Sequence, residues 1–160
     1  MSRDPAARRR MSKNKELQGY CFEDISLGMT ALYTRTITDA DIVLFAGISG
    51  DHNPLHLDDE FARDSMFKGR VAHGLLTASL ISAVLGTKLP GPGAVYISQS
   101  LNFRAPVRIG DTVEARATVR EIVPEKRRVT LDTVCTVGET VVVDGNAVVM
   151  VPSRAGAGST

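Results

Sequence analysis

Eleven residues from Ser49 to Asp59, SGDHNPLHLDD, hold the densest polar chemistry of the chain: two histidines, three aspartates, an asparagine and a serine. Three chemistries suit such a set. A metal site would use His52 and His56, helped by Asp51, Asp58, Asp59 or His73. Histidines four apart share one face only on a helix, and Pro54 lies between them where a helix interior does not admit it. No third ligand stands at a recognisable spacing, so no metal is expected. A nucleophile would be Ser49, backed by Asp51 and His56. Ser49 is not in a Gly-x-Ser-x-Gly elbow, and closeness in sequence is no measure of triad geometry. The third chemistry is general acid–base work by Asp51 with His56. A carboxylate and an imidazole on one loop can hold a single water, and histidine takes or gives a proton near neutral pH. Asn53 would bond nearby backbone and Pro54 would fix its own φ, so both would stiffen that loop. The plainer alternative is a polar connector between helices. It is preferred for His52, Asp58 and Asp59, and it stays open for Asp51 and His56.

His73 and Gly74 stand where a second piece of chemistry would be found. A helix starting there exposes unpaired N–H groups and a partial positive charge. Gly74 lets another group approach the backbone, and a carbonyl oxygen placed there would be stabilised as negative charge develops on it. Gly74 equally suits plain close packing, and His73 reads first as a neighbour of the cap.

The elements that must position these residues are legible from pattern. ALYTRTIT (31–38) alternates as a strand. TDADIVLFAGISG has a capping residue at Thr38 or Asp39, acids in its first turn and Ile42, Val43, Phe45 and Ala46 at helical spacing, with Gly47 and Gly50 ending it. The polar stretch follows as a loop, then 57–67 as a short helix capped by Asp58 or Asp59. From Gly74 to Leu85 no residue is charged, which marks a helix buried all round. Four strands follow, 94–107, 111–123, 128–138 and 140–151, separated by turn signals and expected to form an antiparallel meander. One buried helix before four strands predicts an α+β layer, a curved antiparallel sheet wrapped round that helix, with 31–38 completing the sheet. Its edge would invite pairing between subunits.

The whole chain sets outer bounds. Its 160 residues suit one domain. No apolar run reaches the roughly 18 residues of a membrane span. Cys21 and Cys135 are far apart without metal spacing, which points to a reducing compartment. The net charge of +1 hides an asymmetry: residues 1–15 hold six basic residues and one acid, leaving a net negative body that makes a poor nucleic-acid binder. That leader lacks an apolar core, so it is expected as a disordered basic segment rather than a secretory signal. The domain is expected over 16–152 and a disordered tail over 153–160.

Taken together, GDHNPLHLD (50–58), VAHGLLTASLISAVLG (71–86) and PGPGAVYISQSLNFRAPVRIGD (90–111) resemble the MaoC-like (R)-specific enoyl-CoA hydratases, in order and spacing. The resemblance covers 16–152 and implies a hot-dog fold, homodimeric with joined sheets. It implies reversible hydration of trans-2-enoyl-CoA to (3R)-3-hydroxyacyl-CoA, a hydro-lyase reaction without metal or redox cofactor. Its catalytic pair falls on Asp51 and His56, its supporting asparagine on Asn53, its thioester-oxygen donor on the N–H of Gly74, and a serine beside the site on Ser82. The acyl chain would lie along the long helix and residues 65–67. Lys68, Arg70 and Arg104 are candidate partners for CoA phosphates. An acyl-carrier-protein thioester is the alternative substrate form. A thioesterase and a non-catalytic acyl-thioester binding subunit are the rival functions. Cytoplasmic placement is expected, with the mitochondrial matrix as the eukaryotic alternative.

Overall fold

Local chemistry at Thr38 starts the first helix where the sequence calls for it. Strand β1 (Thr30–Thr36) gives way to α1 (Asp39–Ser49), whose cap is Thr38. The Thr38 hydroxyl accepts from Asp41 N–H, and the Asp41 carboxylate accepts from Thr38 N–H, a reciprocal pair that satisfies two otherwise orphaned donors. The Arg35 guanidinium and the Thr38 hydroxyl hold the Asp41 carboxyl down at about 2. Gly47 does not end the helix. The stop is Gly50, at φ 78°, a left-handed position that glycine takes without strain.

The computed structural model describes residues 17–154. The basic leader and all but two residues of the expected tail lie outside that range. Ser153 and Arg154 bond the carboxylates of Glu23 and Asp24 on the turn Phe22–Asp24, so packed structure runs past Pro152.

Beyond Gly50 come two short helices, α2 (Pro54–Leu57) and α3 (Asp59–Asp64), then the long α4 (Gly74–Thr87). The expected loop around Pro54 is therefore one helical turn. Proline at the first position of a helix loses nothing, because its missing N–H would have had no partner there. Asp58 caps α3, its Oδ1 accepting from Glu60 and Phe61 N–H at 2.9 Å each.

The sheet contains β1, β2 (Val95–Gln99), β3 (Asn102–Phe103), β4 (Thr112–Val123), β5 (Arg128–Val137) and β6 (Thr140–Met150). Its order is β1-β4-β5-β6-β2, with β3 also on β6, and every pairing is antiparallel. The expected four-strand meander is thus corrected: β4, β5 and β6 form one, but β2 crosses to the far side of β6. The expected strand 94–107 also breaks after Gln99. There the Ser100 carbonyl passes over Gly145, so close that an added Cβ would lie 1.8 Å from the Ser100 oxygen. Ser100 and Asn146 tie this crossing from both sides. Gly145→Ala must displace backbone rather than a flexible side chain. It should cost about 3 kcal/mol or more, read as a lower midpoint in urea with unchanged slope.

The core lies between α4 and the sheet. Thr77, Leu80, Ile81, Val84 and Leu85 form the buried row of α4. They face the alternating buried residues Val113, Ala115, Ala117 and Val119 of β4 and Val129, Leu131, Thr133 and Cys135 of β5. Each Val, Leu or Ile side chain buried so completely contributes roughly 1.5–3 kcal/mol. Burial pushes the Cys135 thiol up to about 12, so it is an inert core residue. The helix is not covered all round, contrary to the expectation from its composition. Leu75 (58% exposed), Ser79, Ser82 and Gly86 form an open row in the single chain. α4 lies over β1, β4 and β5 and less over β6. A long helix gripped by a curved antiparallel sheet is the hot-dog arrangement.

Candidate active site

Asp51 follows the C-terminus of α1 and His56 rides on α2, and the sequence between them fixes their relation. The Asp51 carboxylate accepts from Asn53 N–H at 3.2 Å, and the Asn53 carboxamide oxygen accepts from Leu55 N–H at 3.0 Å. Asn53 is thereby the cap of the turn that carries His56. Three bonds then stitch that turn to residues 70–71. Val71 N–H donates to Leu55 O at 3.2 Å. His56 Nδ1 lies 2.8 Å from Val71 O. Arg70 Nε donates to His56 O at 2.6 Å. A carbonyl only accepts, so His56 Nδ1 carries a hydrogen, and in the neutral ring the lone pair is on Nε2.

A carboxylate oxygen of Asp51 and ring nitrogens of His56 and His73 lie within 4.8 Å of one another. Two ordinary hydrogen bonds from one water span about 4.5 Å, a separation that lies inside this limit. Gly74, the first residue of α4, stands next to this cluster, and among the described residues its N–H has no acceptor. The cavity they share has a volume of about 500 Å³. Its walls are apolar, from Leu55, Phe67, Val71, Phe103, Pro106 and Val143. The polar groups thus converge at one place in an otherwise oily slot, which is the usual build of a small-molecule site.

The remaining sequence candidates fare differently. Ser49 donates to Phe45 O at 2.7 Å and accepts from Asp51 N–H, so it closes the end of α1 and is not aimed at an imidazole. His52 bonds Gly50 O, as a connector residue would. Met66 and Phe67 line the cavity, but from α4 only Gly74, Leu75 and Thr77 do. Ser82 lies about 12 Å further along the helix axis, exposed and outside the cavity lining. Arg70, a candidate partner for CoA phosphates, is already engaged: its side chain is 12% exposed and also bonds Asp39 at 2.5 Å, with Asp59 at 3.9 Å. The open carbonyl of His56 and the acids starting α1 and α3 engage it. Arg104 is exposed at the rim but makes two bonds to Asp144, which also accepts from Asn102. That pairing raises the Arg104 guanidinium and lowers the Asp144 carboxyl from their ordinary values. Lys68 is exposed and makes no side-chain bond to the described residues.

His73 is the residue that sequence reasoning underrated. It occupies the cap position of α4 without capping it. Instead Nε2 lies 3.0 Å from the carbonyl oxygen of Asp51, and its ring lies 3.8 Å from that of His56, centroid to centroid. A polar ring entering the core with an uncharged helix must find partners, which is the signal that was available. The far wall, Phe103 to Val107, was hidden because that segment reads as ordinary strand. The three-residue cluster also has the composition of a metal site. Yet His56 Nδ1 and His73 Nε2 both serve carbonyls, which leaves each ring a single nitrogen for any other partner.

A fold of this kind with such a site defines a class. The sequence profile of the MaoC like domain matches residues 26–144, and the chain belongs to that family. It is 57% identical over 139 residues to the 3-hydroxybutyryl-CoA dehydratase of Methylorubrum extorquens, spanning 87% of this chain and 88% of that one. It is 58% identical over 133 residues to the (R)-specific enoyl-CoA hydratase of Rhodospirillum rubrum, spanning 83% of this chain and 92% of that one. Among solved structures, the R-hydratase PhaJ1 from Pseudomonas aeruginosa superposes with a TM-score of 0.81 at 42% identity, covering 86% of this chain and 89% of its own.

Proposed function

We propose that this chain is a hydro-lyase that reversibly adds water to a trans-2-enoyl thioester of CoA, giving the (3R)-3-hydroxyacyl thioester. The observation that carries the reading is the convergence of Asp51 and His56 beside the open N–H of Gly74, inside an apolar cavity. The names of its relatives support the same chemistry.

In this reading the thioester oxygen accepts from Gly74 N–H at the positive end of α4, which draws electrons from the conjugated alkene and makes C3 electrophilic. Water held between the Asp51 carboxylate and His56 Nε2 attacks C3. Its proton passes to Nε2, the one ring nitrogen with a lone pair to offer. The electron pair of the alkene moves into the thioester as an enolate held at Gly74. The acid–base pair then returns a proton to C2, and the enolate collapses. Water and proton arrive from the same side, so addition is syn. The enzyme proton balance is zero, and no metal or redox cofactor enters. The acyl chain occupies the slot lined by Leu55, Phe67, Val71 and Val143, and Lys68 and Arg104 are the cations at hand for phosphates of the carrier. CoA is the carrier proposed, with an acyl-carrier protein as the other source of the same thioester. Cytoplasmic placement is part of the proposal; among the described residues no helix is long and apolar enough to cross a membrane.

A homodimer completes the proposal. β2 is an edge strand, and three successive residues, Val95, Tyr96 and Ile97, are 48%, 40% and 42% exposed. Val95 and Tyr96 face opposite sides of the strand, and Ile97 sits at the register shift between Tyr96 and Ser98, so neither face of this edge is covered. The open row of α4 adds further surface. Pairing of two β2 edges would bury it and protect the edge from aggregation. Sedimentation equilibrium should give about twice the 17.2 kDa of the chain, and Ile97→Lys should shift it toward one.

Crotonyl-CoA tests the activity. Loss of the enoyl absorbance without release of free thiol is the expected result. Release of thiol would make the protein a thioesterase. Tight binding with no turnover would make it a thioester-binding subunit.

A further inference from the structure

We infer that His73 is a positioning residue that clamps both members of the Asp51–His56 pair. The inference rests on the proposed role of that pair and adds a third residue behind it. His73 is 2% exposed, and its Nδ1 is fully enclosed with no hydrogen-bond partner among the described residues. The ring edges the cavity but is almost wholly covered, and its bond and its stacking contact go to the two residues proposed to act on substrate.

The contacts are of two kinds. His73 Nε2 lies 3.0 Å from the Asp51 carbonyl oxygen, which can only accept, so Nε2 carries the hydrogen. That bond pins the backbone of Asp51 to the residue immediately before α4. The His73 ring also lies against His56, 3.8 Å between centroids and 31° between planes. His56 is held in its plane by Val71 O on Nδ1, and His73 backs one of its faces. Phe45 of α1 closes on His73 from another side, at 5.0 Å. The opposite tautomer of His73 would strand the Asp51 carbonyl and bury an N–H with no acceptor. The cost of an unpaired buried group therefore selects one tautomer. The bare Nδ1 is the residue of that choice.

The helix that presents Gly74 thus also fixes, through its preceding residue, the distance from the dyad to the thioester-oxygen site. Displacement of reacting groups by about an ångström can cost 10²-fold in rate, so loss of the clamp should appear in kcat rather than KM. Two replacements separate the two contacts. His73→Gln places an amide N–H where Nε2 stood and removes the ring. His73→Phe keeps a ring against His56 and removes the bond.

The experiment is steady-state hydration of crotonyl-CoA by the full-length protein and these variants, beside Asp51→Asn and His56→Asn. His73→Phe should lower kcat roughly 10- to 100-fold with KM changed less than about threefold, and His73→Gln should recover a large part of that loss. Nitrogen-15 NMR of the unaltered protein supplies a readout that needs no variant to fold. It should show the His73 ring protonated at Nε2 and bare at Nδ1. The inference is overturned if both His73 variants keep kcat within twofold while Asp51→Asn and His56→Asn are inactive, or if NMR finds the hydrogen on Nδ1. If Asp51→Asn and His56→Asn remain active, the dyad reading itself fails and takes the clamp with it.

Discussion

Asp51→Asn and His56→Asn should each lower kcat for enoyl-CoA hydration by roughly 10²–10⁴-fold, with little loss of stability. Both replacements are chosen to spare the local fold. Asn at position 51 still offers an oxygen to Asn53 N–H, the bond that shapes the turn. Asn at position 56 can still donate to Val71 O as Nδ1 does, but it has no counterpart of Nε2. What each variant loses is one hold on the water and one site for its proton. Groups that act as a unit are not additive, so the double variant should be little worse than either single one. Full activity in either variant would remove the residue concerned from the chemistry.

Gly74→Pro should lower kcat by about 10²–10³-fold, the usual effect of losing an oxyanion donor, while Gly74→Ala loses much less. Proline deletes the N–H proposed to hold the thioester oxygen. The position tolerates it otherwise: Gly74 is the first residue of α4, and His73 before it has φ −59° and ψ 136°, the extended conformation that precedes proline readily. The complication is steric, because any Cβ at position 74 lies 2.7 Å from the Phe103 ring. Phe103 is an exposed side chain that can swing aside, and Ala carries the same Cβ, so the difference between the two variants reports the lost N–H together with the ring carbons that replace it. Equal kcat values would mean that Gly74 matters only for packing against Phe103.

Both predictions involve residues that could be picked out from sequence, and the reason is that their signals are local. Thr38, Asp58 and Gly50 act on backbone within four residues, so cap and stop chemistry locates the helices. The period-two alternation of β4 and β5 reports a single buried face, and that survives in the fold. Gly74 is legible because a charge-free helix must begin somewhere. What was not legible depends on partners distant in sequence. Strand pattern tells which face is buried but not which strand lies alongside, so β2 was placed beside β4 rather than β6. The break at Ser100 is dictated by Gly145, 45 residues on. Arg70 looks like any surface cation until the His56 carbonyl and Asp39 are brought to it. Pro54 has the sequence signature of a helix breaker, yet at the first position of α2 it is a helix starter, and that turn is what carries His56. Ser82 is exposed and stands apart from the cavity lining.

Hydration of crotonyl-CoA in deuterium oxide, with the product read by NMR, tests the central claim most directly. One acid–base pair working on one water predicts a (3R)-hydroxyl with a single deuteron at C2 on the same face as the new oxygen. A deuteron on the opposite face, or a (3S) product, would contradict the arrangement of Asp51, His56 and Gly74 proposed for this site.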